Sequence, residues 1–140
     1  HDYEGHSKLK KKSTMNIATG ENGYHLEHFK NLAENKCASI FNVDVAICAG
    51  YDIAAEISKL AGSNNISISP HGCQELQLPL VTGIENGEFL EYYPKEVDPL
   101  RAEMFNPILK PSKDGYVTVS EKPGLGYDLN MKLLKNHQIL

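Results

Sequence analysis

With 140 residues, a formal net charge of −4 and 23% charged residues, the chain has the size and balance of one domain able to bury its own core. No apolar run approaches the roughly 18 residues that span a bilayer, and the start lacks the charged-then-apolar layout of a signal peptide. Neither nucleic acid nor a membrane is expected as a partner, and the expected compartment is cytoplasmic.

Asp2 is placed to cap a first helix, in which Tyr3, His6 and Leu9 recur at three-residue spacing while lysines take the other face. The basic run from Lys8 to Lys12 is broken by Leu9 and followed by no aromatic platform, so it reads as a solvated face and not as a nucleic-acid patch. A strand at Asn16–Thr19 runs into Gly20-Glu21-Asn22. Tyr24 to Asn35 then places Leu26, Phe29, Leu32 and Ala33 on one helical face. The run Ile40–Val43 stops at Asp44, and Asp52 to Ala61 forms a second amphipathic helix through Ile53, Ile57, Leu60 and Ala61. After the break at Gly62-Ser63-Asn64-Asn65, the alternating run from Ile66 ends at Pro70-His71-Gly72. Gln74 to Val81 reads as a helix disturbed by Pro79, and Gly87–Leu90 as a fourth strand stopping at Glu91.

Beyond Glu91 the composition changes. Pro94, Pro99, Pro107, Pro111 and Pro123 are spread through a stretch without sustained period, so residues 1–91 form the repeating part and residues 92–140 a tail. Within the tail, Lys113-Asp114-Gly115 reads as a turn entering a short strand at Tyr116–Val119. Pro123-Gly124-Leu125-Gly126 reads as a loop before a last helix near Asn130 to Asn136.

Strands alternating with helical patterns imply an α/β fold with a parallel sheet. Parallel strands point one way, so Glu21, Asp44, His71 and Glu91 are expected along one rim. Phe41, Val43, Ile66 and Ile68 are expected to face inward. Cys37, Cys48 and Cys73 have unrelated spacings and no Cys-x-x-Cys pair, which suggests reduced thiols and not a disulfide frame. His25 and His28 lack the partner pair that a zinc site needs.

The chemistry available to the four rim residues follows from their types. Imidazole is the side chain that titrates nearest neutrality, so His71 is a candidate general base; a strand-end histidine serves equally as a structural hydrogen-bonder. Asp44 is placed to accept the proton of its second ring nitrogen, or simply to cap a turn. Glu21 offers a hard oxygen to Mg²⁺. Glu91, between Leu90 and Tyr92-Tyr93, is expected in apolar surroundings where a protonated carboxyl donates to a developing oxyanion, the alternative being an ion pair.

Taken together, the order Gly20-Glu21-Asn22, Asn42-Val43-Asp44, Ser69-Pro70-His71-Gly72, Phe89-Leu90-Glu91, the Asp-Gly-Tyr-Val-Thr-Val run from Asp114 and Pro123-Gly124-Leu125-Gly126 resembles the C-terminal half of the mandelate racemase and muconate-lactonizing branch of the enolase superfamily. Intervals of 23, 27 and 20 residues between the four rim positions suit successive barrel strands of that family. The resemblance implies strands five to eight of a (β/α)8 TIM-like barrel, with an irregular C-terminal tail returning to a capping domain. It further implies a Mg²⁺-dependent acid-sugar dehydratase or hydroxy-acid racemase, which abstracts the proton next to a carboxylate through an enediolate. In that reading Glu21 is the last of three Mg²⁺ carboxylates and Asp44 with His71 the acid/base dyad. Glu91 is the eighth-strand acid that hydrogen-bonds the substrate carboxylate.

The partner implied is a small-molecule carboxylate, and the full-length parent is expected to be a homo-oligomer. Two features depart from the family. The chain starts after the strands that carry the other metal carboxylates and the lysine, and Ala49-Gly50-Tyr51-Asp52 stands where a Gly-Gly pair is common. A typical barrel takes about 250 residues, so the isolated chain is expected to have little activity. The alternative is a non-catalytic half-barrel acting as an oligomer or interaction module, or a truncated reading frame.

Overall fold

Three short parallel strands lie side by side in chain order in the computed structural model, which describes residues 2–138: β1 (Ala18–Thr19), β2 (Ile40–Phe41) and β3 (Ser67–Ile68). Their register pairs Ala18 with Ile40 and Ile40 with Ser67, then Thr19 with Phe41 and Phe41 with Ile68. The ladder runs on past the strand ends. Asn42 N–H donates to the Thr19 carbonyl at 2.9 Å, Ser69 N–H to Phe41 at 3.1 Å and His71 N–H to Val43 at 3.1 Å. Evenly spaced bonds of this kind hold the three strands in one sense, so their C-terminal ends share a rim.

Helices α1 (Tyr3–Lys12), α2 (Leu26–Glu34), α3 (Tyr51–Ser63) and α4 (Gln74–Gly83) alternate with the strands. Asp2 caps α1 by accepting from Gly5 N–H at 2.7 Å, which satisfies one of the amides a helix start leaves unpaired. The apolar faces read for α2 and α3 are the ones that bury: Phe29, Leu32 and Ala33 from the first, Ala54, Ile57 and Ala61 from the second. Phe29 meets Phe41 edge to face, with ring centroids 5.2 Å apart. Full burial of each large apolar side chain is worth about 1.5–3 kcal/mol.

Four expectations are corrected. Phe41, Val43, Ile66 and Ile68 belong to the core cluster shared with the helices and are almost wholly buried, so they do not face an open interior. Leu9 is 54% exposed; α1 docks instead through half-buried Tyr3 and His6 and through Lys10 Nζ, which donates to the Ala38 carbonyl at 2.6 Å. The strand at Gly87–Leu90 is reduced to one parallel bridge between Ile68 and Gly87. The next rung would need an N–H from residue 70, which is Pro70, and Phe89 N–H donates to the Ser69 hydroxyl at 3.3 Å. The strand at Tyr116–Val119 does not form; Ser112 N–H donates to the Tyr116 carbonyl and closes a loop there.

The tail carries α5 (Pro99–Ala102), β4 (Phe105–Asn106), β5 (Asp128–Leu129) and α6 (Met131–Asn136), with β4 and β5 paired antiparallel. It is fastened to the start of α4. The Gln74 amide donates to the Tyr93 carbonyl at 3.4 Å and accepts from Tyr93 N–H at 3.3 Å. The Arg101 guanidinium covers the Tyr93 ring at 4.3 Å from its centroid, a cation–π contact. Phe105 and Leu109 are the buried apolar anchors.

Candidate active site

The parallel ladder delivers three polar ends to one rim and the bridged segment delivers the fourth. At its centre Asp44, 7% exposed, sits at the end of the β2 run, one residue past Val43, whose carbonyl accepts the His71 amide. His71 Nδ1 lies 3.2 Å from Asp44 Oδ2. The other carboxylate oxygen, Oδ1, accepts from Ala46 N–H at 2.8 Å and from the Gln77 amide at 2.7 Å. A carboxylate only accepts, so Nδ1 is the protonated nitrogen of the neutral ring. Nε2 is then left with its lone pair facing the rim.

Glu21 stands across from that nitrogen, its Oε2 3.9 Å away, too far for a hydrogen bond. Its side chain is 54% exposed. On the other side Glu91 Oε2 accepts from Gly72 N–H at 3.0 Å. The four residues named from the sequence are thus linked along one rim, His71 to Asp44 and toward Glu21, and Glu91 through the Gly72 amide. The surroundings of Glu91 differ from the expectation: it is exposed and not enclosed by apolar groups. The cause is the early end of the fourth strand, which leaves the chain after Phe89 free of the sheet. Burial, and next a hydrogen bond to Glu91, push the Tyr93 hydroxyl up from its ordinary range, so that phenol stays protonated beside the carboxylate.

Gly72 is what permits the dyad to close. Its φ of +92° is in the region that side-chain-bearing residues avoid, and a Cβ there falls 2.6 Å from Asp44 Oδ2. At Cys73, the next residue, burial and then the neighbouring Glu75 push the thiol up, away from the thiolate that reacts. His28 is held by the Tyr3 hydroxyl at 3.1 Å, and burial lowers its basicity.

Two contributors escaped the sequence reading. Gln77 is fully buried on α4 and touches Asp44 directly. Asn42 donates to the Ser69 carbonyl at 2.9 Å and braces β2 against β3. The available signal for Gln77 was a glutamine among Leu76, Leu78 and Leu80 on the helix that follows His71.

For a divalent cation, Glu21 supplies one hard oxygen with room around it, which suits Mg²⁺. Among the described residues no group of three metal-ligating side chains forms.

Residues 1–133 match the family model described as "Enolase C-terminal domain-like". The chain belongs to that family. Within this enolase-like family it is 30% identical over 137 residues to an L-rhamnonate dehydratase from Saccharopolyspora erythraea, covering 92% of this chain and 35% of that protein. It is 26% identical over 133 residues to a 3,6-anhydro-alpha-L-galactonate cycloisomerase from Streptomyces coelicolor, covering 95% of this chain and 36% of that one. Among solved structures, L-talarate dehydratase from Polaromonas sp. JS666, complexed with Mg and L-glucarate, superposes with a TM-score of 0.83 at 25% identity over 96% of this chain and 36% of its own. The chain thus spans little more than a third of the length of the relatives it matches. Its structural neighbours fall in the mandelate racemase and muconate-lactonizing branch of the enolase superfamily. The α/β architecture described above is consistent with half of a TIM barrel. No helix among the described residues is long and apolar enough to cross a membrane.

Proposed function

We propose that this chain is the acid/base-bearing C-terminal part of a Mg²⁺-dependent dehydratase of acid sugars. Residues 1–91 correspond to barrel strands five to eight, and residues 92–140 to a tail that packs on a capping domain. The observation that carries this reading is the pairing of His71 Nδ1 with Asp44 at 3.2 Å, which leaves Nε2 unprotonated on the side of Glu21. In the proposed reaction Nε2 takes the proton from the carbon next to the substrate carboxylate, and the C–H electron pair moves into an enediolate. Asp44 stabilises the imidazolium so formed. The enediolate then expels the hydroxyl of the next carbon, which leaves as water with the proton held on Nε2. The resulting enol becomes a 2-oxo-3-deoxy acid.

The Tyr93 hydroxyl, and Glu91 in its acid form, are proposed to donate hydrogen bonds to the carboxylate end of the substrate as its charge grows. Glu21 is proposed as one ligand of Mg²⁺, which when bound neutralises that charge. A substrate without the second hydroxyl would be reprotonated instead, which is racemisation. The whole protein is proposed to be cytoplasmic and homo-oligomeric.

The test uses the chain joined in frame to the segment encoded immediately upstream, assayed for 2-oxo acid formation on a panel of acid sugars. His71→Asn is expected to lose roughly 10²–10⁴-fold in rate while retaining metal. Glu21→Gln is expected to weaken Mg²⁺ so that activity partly returns at high metal. Undiminished turnover in His71→Asn removes His71 from the chemistry, and absence of turnover in the unsubstituted protein overturns the reading in favour of a half-barrel interaction module.

A further inference from the structure

We infer that Gln77 is a positioning residue that fixes which nitrogen of His71 carries the proton. The functional meaning of this rests on the reading of His71 as the acid/base, but the physical claim does not. Gln77 is 0% exposed and Asp44 7%, so neither exchanges its partners with bulk water at low cost. The Gln77 amide faces two neighbours of opposite character. Its Nε2 donates to Asp44 Oδ1 at 2.7 Å, and its Oε1 accepts from Val45 N–H at 3.4 Å.

Only a side chain with a donor and an acceptor at its tip satisfies both. A carboxylate here would face another carboxylate, and an apolar residue would leave the Val45 amide without that acceptor. Because α4 begins within three residues of His71, the same turn that presents the imidazole brings Gln77 back under Asp44.

The consequence concerns the rotation of the Asp44 carboxylate. With Oδ1 holding both Ala46 N–H and the Gln77 amide, the planar group is pinned and only Oδ2 is turned toward the ring. Ala46 N–H alone leaves the carboxylate able to pivot about that single bond, so that Oδ2 no longer meets Nδ1. A buried polar chain of this kind, with every member satisfied, orients its last member more tightly than one contact can.

The test reads the ring directly in the full 140-residue chain. Two-bond proton–nitrogen correlation spectra of ¹⁵N-histidine-labelled protein distinguish the neutral tautomers by their nitrogen shifts. For the wild type the expected result is His71 protonated on Nδ1 at a pH where the ring is neutral. In Gln77→Met, which keeps the length of the side chain, a substantial share of the Nε2-protonated form is expected, with backbone amide spectra unchanged away from α4. Gln77→Asn keeps the amide but is a methylene too short to reach both partners. It is expected to redistribute the tautomers in the same direction, and it serves where the methionine variant does not fold.

An unchanged Nδ1-protonated ring in the folded variant overturns the inference. When the upstream segment is joined, the same substitution is expected to lower kcat by at least roughly tenfold with little change in KM, short of the ~10⁴-fold loss typical of a wrong-tautomer triad. A shifted tautomer with undiminished kcat leaves the role of Gln77 standing and removes His71 from the chemistry.

Discussion

The middle of the rim and its two ends are built from the same kinds of residue yet behave differently. Asp44 and His71 stand at the ends of strands with a neighbour on each side, and Asp44 is fixed by three hydrogen-bonded partners. Glu21 and Glu91 stand at the margins. Among the described residues Glu21 comes within hydrogen-bonding range of Asn22 Nδ2, at 3.5 Å, and Glu91 is exposed, accepting from Gly72 N–H. The difference teaches that preorganisation in this fold comes from lateral cover: a strand flanked twice holds its polar end, and a strand flanked once only presents it.

Removing the support under one margin should have the largest effect. The Phe29 ring lies beneath the Gly20-Glu21-Asn22-Gly23 turn so closely that a Cβ at Gly20 falls 2.7 Å from it and one at Gly23 falls 2.6 Å away. Phe29→Ala is expected to cost about 3–5 kcal/mol, read from the urea midpoint, and to loosen the Glu21 turn more than the dyad. Equal hydrogen-exchange losses at both places would break the contrast between margin and centre.

A strike at the centre should come next. Gly72→Ala meets both the positive φ and Asp44 Oδ2, and backbone strain of this kind costs of order 1–3 kcal/mol; the thermal midpoint should fall accordingly. A neutral result would show that the dyad is less constrained than its neighbours imply. The smallest effect is expected at the other margin. Glu91→Gln keeps an acceptor for Gly72 N–H on an exposed side chain, so stability should change by no more than about 0.5 kcal/mol. A larger change would place Glu91 with the centre.

The rim was legible in the amino-acid sequence because each strand-like run is short and ends at an abrupt polar break, which parallel pairing turns into a shared edge. Helix α2 and helix α3 were legible for the usual reason of a 3.6-residue apolar period. Which side of the sheet Phe41 and Ile68 take was not. The alternation in Phe41-Asn42-Val43 and Ile66-Ser67-Ile68 marks one apolar face without saying which side of the sheet it takes, and the helices whose core these residues join decide it. The exposure of Glu91 escaped because it depends on where the fourth ladder stops, and that is set by the register that puts Pro70, without an N–H, opposite the Glu88 carbonyl. Gln77 escaped because one buried amide on a leucine-rich helix has no periodic signature.

The order of the strands has a consequence for how the protein is made. Every pairing in the sheet joins a strand to the next one along the chain, β1 to β2 and β2 to β3, so nothing synthesised early has to wait for a distant partner. During synthesis Glu21 emerges first with its strand, Asp44 follows with β2, and its fixing partners His71 and Gln77 come 27 and 33 residues later. Gln77 follows one helical turn later and locks the pair, and Glu91 comes last, onto an amide that only then has its final direction. Short sequence separation between partners favours fast pairing. Assembly of the site is therefore expected to run in the direction of translation, with Glu91 the last member to arrive.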